Sequence, residues 1–438
     1  MTMAARNIKT GIAERRLIEE AGAPGFSHAG WFDKARLAAL DSFEAAGLPH
    51  RRLEDWRYTD LRQILEKRLT KTEETSGRSD APAGLLDAVD AYVALIGAEG
   101  VEGDFSGLPE GAEIVPLGDV LDEGWVRDAM DASVFGDTDA PQAAAIIDLN
   151  TALLGGGVAI HIAHGVVLEK PIHLAFSGNG TRHLRSVIVL EEGASACVIE
   201  SHQAGANAFS DFVSDIRLTR NASLTRIRIQ NDDRSAIHLA SDRIVLGEGA
   251  VLDGFLMTLG AAVSRNQSFV RFTGEGARAT VNGVYALRGS QHGDHFCLTD
   301  HAVPGCESVT LYKGVLDDAS TGIFQGRVLV RPDAQKTDGR QANHALLLSR
   351  EATMNAKPEL EIYADDVQCA HGSTVGELDR DAVFYLRSRG LDEASARQLL
   401  ISAFLDEVFE AVTHEGVRDI LRVIASEWFV QERSRHHE

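Results

Sequence analysis

The chain has 438 residues, 44% of them hydrophobic, enough to bury a large core over two to three structural units. Its 65 acidic residues against 43 basic ones leave a formal charge of −22, which repels phosphate backbones and anionic lipid and so argues against nucleic acid or a membrane surface as partner. Charges interrupt the N-terminal residues where a signal peptide needs an apolar core, and Cys197, Cys297, Cys306 and Cys369 form no C-x-x-C pair, so a cytoplasmic chain with free thiols is expected.

In chain order, residues 1–69 read as a helical N-terminal region, with Leu37, Leu40, Phe43, Leu61 and Ile64 at helical spacing and a break at Gly47-Leu48-Pro49. Residues 70–82, TKTEETSGRSDAP, have no large apolar anchor and read as a linker. A mixed α/β connection over 83–154 follows. From 155 to 378 the texture changes to short β-branched runs such as VAIHIA, SVIVLEE, LTRIRIQ and RVLVRPD, which are strands. Their turns end in Ala194, Ala222, Ala250, Ala277 and Ala334, at steps of 28, 28, 27 and 57 residues. The last step is about twice the period, so a missing turn is expected near Pro304-Gly305. A fixed period of this length, made of short strands and tight turns, marks a stacked β-solenoid; an antiparallel sandwich is the alternative. Residues 379–438 revert to helix. DRDAVFYLRSRG is amphipathic, Leu399, Leu400, Phe404, Leu405, Val408, Phe409 and Val412 form a broad apolar face, and VRDILRVIASEWFVQER is a third helix.

The glycine pairs Gly247/Gly249 and Gly274/Gly276 mimic a dinucleotide fingerprint, but a strand rather than a helix follows each, so they read as solenoid corners. No phosphate-binding loop, G-x-S-x-G elbow or H-E-x-x-H helix is present. Two stretches carry metal-ligand residue types. In QHGDHFCLTDH, His292, His295 and Cys297 are candidate ligands. In EIYADDVQCAH, an extended backbone puts Asp365, Val367, Cys369 and His371 on one face. That pair suits soft iron or copper, an activated sulfur, or merely a buried thiol beside a hydrogen-bonded imidazole. A polysaccharide-acting solenoid enzyme and a stand-alone metal protein both stay open on these residues.

Three stretches carry a family likeness. Residues 334–391, from AQKTDGRQANHALLL to LDRDAVFYLRSRGL, residues 300–338, and GLPHRRLEDWRYTDL at 47–61 resemble the SufB/SufD family of the SUF iron–sulfur cluster assembly system, and its SufD branch in particular. The resemblance implies a mostly β fold, a right-handed parallel β-helix between helical terminal domains. It implies a non-catalytic scaffold that pairs with SufB and docks the SufC ATPase, so that a nascent cluster forms at the interface with SufB. No cofactor is then expected in the isolated chain, which could form a homodimer. The family motif C-S-H-G-A-T reads C-A-H-G-S-T here, and implies His371, with Cys369 beside it, as cluster ligands. Ala370 and Gly372 flank His371, where the SufB branch has acids. The apolar face with Phe404, Leu405, Val408 and Phe409 is expected either to pack on the solenoid or to dock SufC.

Overall fold

Alternating and β-branched segments with tight corners force most of this chain into strands, and helices gather at its two ends. The structure, a computed structural model, describes residues 11–21, 30–69, 86–97, 100–135 and 141–433; the segment read as a linker at 70–82 lies outside them. The N-terminal part contains α1 (Ile12–Ala21), α2 (Gly30–Ala46) and α3 (Leu61–Leu69). After them come β1 (Tyr92–Gly97), β2 (Gly100–Glu102), β3 (Ala112–Pro116), α4 (Gly124–Met130) and α5 (Pro141–Ala152).

The strands that follow fall alternately into two sheets. One contains β5 (Ile172–Gly178), β7 (Ser195–Ala204), β9 (Ser223–Gln230), β11 (Val251–Thr258), β13 (Arg278–Leu287), β15 (Glu307–Leu316), β17 (Asp338–Leu347) and β19 (Gln368–Gly376). The other contains β4 (Gly156–Ile162), β6 (Thr181–Leu190), β8 (Phe209–Leu218), β10 (Ile237–Leu246), β12 (Val263–Phe272), β14 (His292–His301), β16 (Thr321–Val330) and β18 (Thr353–Ile362). Neighbours within each sheet run parallel, Ser195 beside Ser223, Ser223 beside Val251 and Val251 beside Arg278. Each coil thus gives one strand to each sheet, and the core is a parallel β-solenoid with helices at both termini, as expected.

The repeat has a steric cause. Ala194, Ala222, Ala250, Ala277 and Ala334 are all fully buried at successive corners, where only a small side chain fits between stacked turns. The corner missing from the alanine series is filled by Cys306, also fully buried, whose thiol lies 3.4 Å from the Gly274 carbonyl and 3.5 Å from that of Pro304. The preceding residues Gly193, Asn221, Gly249, Gly276 and Gly305 all have positive φ. That conformation is why glycine recurs there, and no dinucleotide loop is formed.

The two ends of the solenoid differ. At the first, β1 pairs antiparallel with β2, and β3 antiparallel with β4, so the parallel stacking stops there and β2 and β3 are the terminal strands. At the last, β18 and β19 each have a neighbour on one side only, leaving two edges and an uncovered coil. C-terminal helices α6 (Arg380–Ser388), α7 (Glu393–Phe409) and α8 (Glu415–Arg433) follow.

Helices cover the outer faces. In the sheet that ends at β19, Ile199, Ile227, Ile229, Phe255, Met257, Val284 and Val315 pack against Ile401, Leu405, Val408, Phe409, Val417 and Leu421 of α7 and α8. Lys313 donates to the Phe404 carbonyl at 2.6 Å and lies over the Phe404 ring, while Arg288 lies 4.0 Å from the Trp428 ring centre. Leu405, Val408 and Phe409, expected as possible docking residues, are therefore buried on the flank of the solenoid, and Phe404 is half-buried beside Lys313. Of the two readings of this face, packing on the solenoid accounts for Leu405, Val408 and Phe409, while Leu399 of the same face is exposed.

The segment EDWRYTD clamps the N-terminal unit to the other sheet. Arg265 on β12 stacks at 3.8 Å on Trp56, bonds Asp294 on β14, and donates to the Asp55 carbonyl at 2.7 Å. Arg327 on β16 reaches Asp55 at 3.0 Å and Lys357 on β18 reaches Glu54 at 2.9 Å. The stretch singled out as a family-like signature is thus a buried ionic and aromatic anchor.

Candidate functional site

His292, His295 and Cys297 do not converge. His292 bonds Thr59 of the clamp at 2.8 Å, whereas His295, an odd number of residues on, faces inward to Thr258 at 3.0 Å and stacks on Tyr285. Cys297 shares the inward face but lies beside the Tyr312 hydroxyl at 3.8 Å, and burial pushes its thiol up to about 12. Burial also holds His295 down to about 4. Among the described residues no group of three or more His, Cys, Asp or Glu side chains could hold a metal ion. The metal reading of this triad is corrected: each member is held by a different neighbour, His292 by Thr59, His295 by Thr258 and Cys297 by Tyr312.

Cys369 and His371 fare differently. Ile362 ends β18 and Gln368 begins β19, so EIYADDVQCAH is two strands joined by a bend rather than one. Asp365 lies in that bend, off the shared face, and Asp366 pairs with Lys336. Within β19, residues two apart point the same way. Cys369 sits beside Gly339 of β17 and packs with Val328, Val330, Ala334 and Ala364, placing it on the inward face. His371 follows on that face beside Gln341, which is buried and donates to the carbonyls of Gly326 and Glu359. With no further coil above it, His371 is exposed while Cys369 is half-buried.

Desolvation raises the Cys369 thiol above its ordinary value. Around neutral pH it is protonated, and a metal binding there must displace that proton. One thiol and one imidazole supply two ligands, short of the four protein ligands that hold a 2Fe–2S or 4Fe–4S cluster. The pair alone therefore does not make up a cluster-binding set, and His371 is exposed at the last coil.

Sequence reasoning missed three features. The strand LTRIRIQ turns its arginines inward: Arg226 holds Glu200 at 2.7 Å and Asp242 at 2.9 Å, and Arg228 holds Asp242 at 3.1 Å, all buried. Alternation shows two faces without saying which is inside; the signal available was an isoleucine face that needs helices to cover it. The apolar rim of the open end is the second, with Ile362, Tyr363 and Val375 exposed and Leu360 half-buried. The third is α6, with Phe384 72% and Tyr385 56% exposed and no buried residue at all.

Among the described residues no helix is long and apolar enough to cross a membrane. The SUF system FeS cluster assembly, SufBD core domain family model matches residues 173–404, which runs from β5 through the rest of the solenoid into α7. The chain is 30% identical to the iron–sulfur cluster assembly protein SufD of Escherichia coli, over 86% of this chain and 89% of that protein. It is 31% identical to a SufBD family protein of Synechocystis, covering 89% and 90% of the two chains. With SufD of Bacillus subtilis the identity is 27% over 62% and 63%. The chain belongs to the SufBD family of the SUF iron–sulfur cluster assembly system, as a SufD-type protein.

Proposed function

We propose that this chain is a non-catalytic, cytoplasmic scaffold subunit that supplies one half of a cluster-building site. Its open solenoid end pairs with a SufB-type subunit, and the nascent cluster, which is cargo rather than a resident cofactor, is held between His371, with Cys369 beside it, and ligands from that partner. The carrying observation is that β19 ends the sheet as an unpaired edge and presents both side chains on its inward face with no coil to cover them. An exposed strand edge with an apolar rim is a surface that another chain can extend. In the absence of that subunit, a second copy of this chain can occupy the same edge, giving a homodimer.

ATP chemistry comes from a SufC-type ATPase docked on the C-terminal helices. With Leu405, Val408 and Phe409 of α7 spent on the solenoid, the docking surface moves to α6. A helix of nine residues is marginal alone in water, and this one has no fully buried side chain: Ala382, Val383 and Leu386 are half-buried and the others exposed. Val375 lies on the rim and is 49% exposed, so Val375→Arg is tolerated by the fold. In size-exclusion chromatography of co-expressed subunits the variant is expected to lose the SufB-type partner and retain the ATPase. Retention of a full complex with unchanged stoichiometry would show that pairing does not use this end.

A further inference from the structure

Between the last coil and the C-terminal helices lies a cleft of about 400 Å³, lined by Ser349, Arg350, Glu377, Arg380, Phe384, Arg387, Glu393 and Arg397 among others. Four arginines against two glutamates make it locally cationic, on a chain whose total charge is −22. Two of the arginines are partly neutralised: Arg387 pairs with Glu393 at 3.2 Å, and Arg380 stands 3.7 Å from Glu377. Neither Arg350 nor Arg397 has an acidic partner among the described residues.

All the cations are arginines, whose planar fork matches a carboxylate bidentately, whereas lysine offers only a point charge. Phe384 lines the same cleft and Tyr385 stands next to it, with Arg389 over its ring at 5.2 Å. Cationic forks beside exposed aromatic rings describe the centre of a protein interface, where aromatic side chains and arginine are enriched.

We infer that this cleft receives an acidic segment of the docked ATPase, with carboxylates reaching Arg350 and Arg397 and an apolar side chain packing on Phe384. The inference rests on the docking reading given above and adds the chemistry of the partner surface. It also explains why Phe384 and Tyr385 of α6 are exposed in the free chain: the partner completes their packing and balances the charge of the cleft.

The test measures binding of the SufC-type ATPase to the full chain by calorimetry at low and at high salt. Three proteins are compared: wild type, Arg350→Glu with Arg397→Glu, and Phe384→Ala, each checked for an unchanged thermal transition. Wild-type affinity is expected to fall as salt rises. The double charge reversal is expected to weaken binding at least tenfold at low salt and to remove most of that salt dependence, and Phe384→Ala to weaken it at both. If Phe384→Ala weakens binding while the charge reversal and salt do nothing, the acidic-segment inference is wrong and docking on α6 stands. If all three bind alike, docking on α6 is wrong as well. Titration with inorganic phosphate provides the last arm: saturable binding abolished by the charge reversal, with ATPase binding unaffected, would overturn the inference in favour of a phosphate site.

Discussion

At the level of single residues, position in the coil decides chemistry. Cys297 and Cys369 are both solenoid thiols on inward faces, yet Cys297 is sealed beside Tyr312 while Cys369 lies under an open end. His295 and His371 differ in the same way, one stacked inside and one exposed. The buried imidazoles have a consequence for stability. His295 and His301 are both held at about 4 by burial, against about 6.5 when unfolded. Between those values the unfolded chain binds more protons, so the stabilisation is complete above about pH 6.5 and is lost as pH falls toward 4. Each histidine is expected to cost about 2 kcal/mol of stability between pH 7 and pH 5, seen as a falling urea midpoint; His295→Gln should flatten that fall, and an equal slope in the variant would contradict the assignment. Of these residue-level facts, the sequence showed that Cys369 and His371 share a face, because a strand repeats every two residues. It could not show that Asp365 drops out of that face, because the bend before Gln368 is set by the stacking of the coil below.

Among the elements, legibility followed steric rules and failed where the covering partner mattered. The alanine corners were readable because only small side chains fit between stacked turns, and the gap in the series marked the place where Cys306 stands in. The helices α6, α7 and α8 were readable from their apolar spacing, but an apolar stripe does not name what lies on it. Leu405, Val408 and Phe409 turned out to serve the solenoid flank, together with inverted strands whose isoleucines point outward and arginines inward. This assignment has a measurable effect. Leu405→Ala empties a fully buried site and is expected to destabilise the chain by about 2–5 kcal/mol. Hydrogen exchange should speed up in α7 and α8 before the strands; equal acceleration across the solenoid would argue against separate docking of the helices.

For the whole molecule, asymmetry between the two ends carries the functional argument. At one end the terminal strands β2 and β3 pair antiparallel and break the coil pattern, and the N-terminal clamp locks helices onto the sheet of β12 to β18 through Arg265, Arg327 and Lys357. At the other end both terminal strands, β18 and β19, run parallel to their neighbours and could be extended in the same pattern, and the chain puts its two candidate cluster ligands there. The most direct test is anaerobic iron and sulfide reconstitution of three samples: the isolated chain, its complex with the SufB-type and SufC-type subunits, and the same complex carrying His371→Ala. The expected result is no stable cluster in the isolated chain, loading in the complex, and assembly of the variant complex with most of that loading lost. Full iron and sulfide content in the His371→Ala complex, or equal loading by the isolated chain, would contradict a half-site completed by a partner.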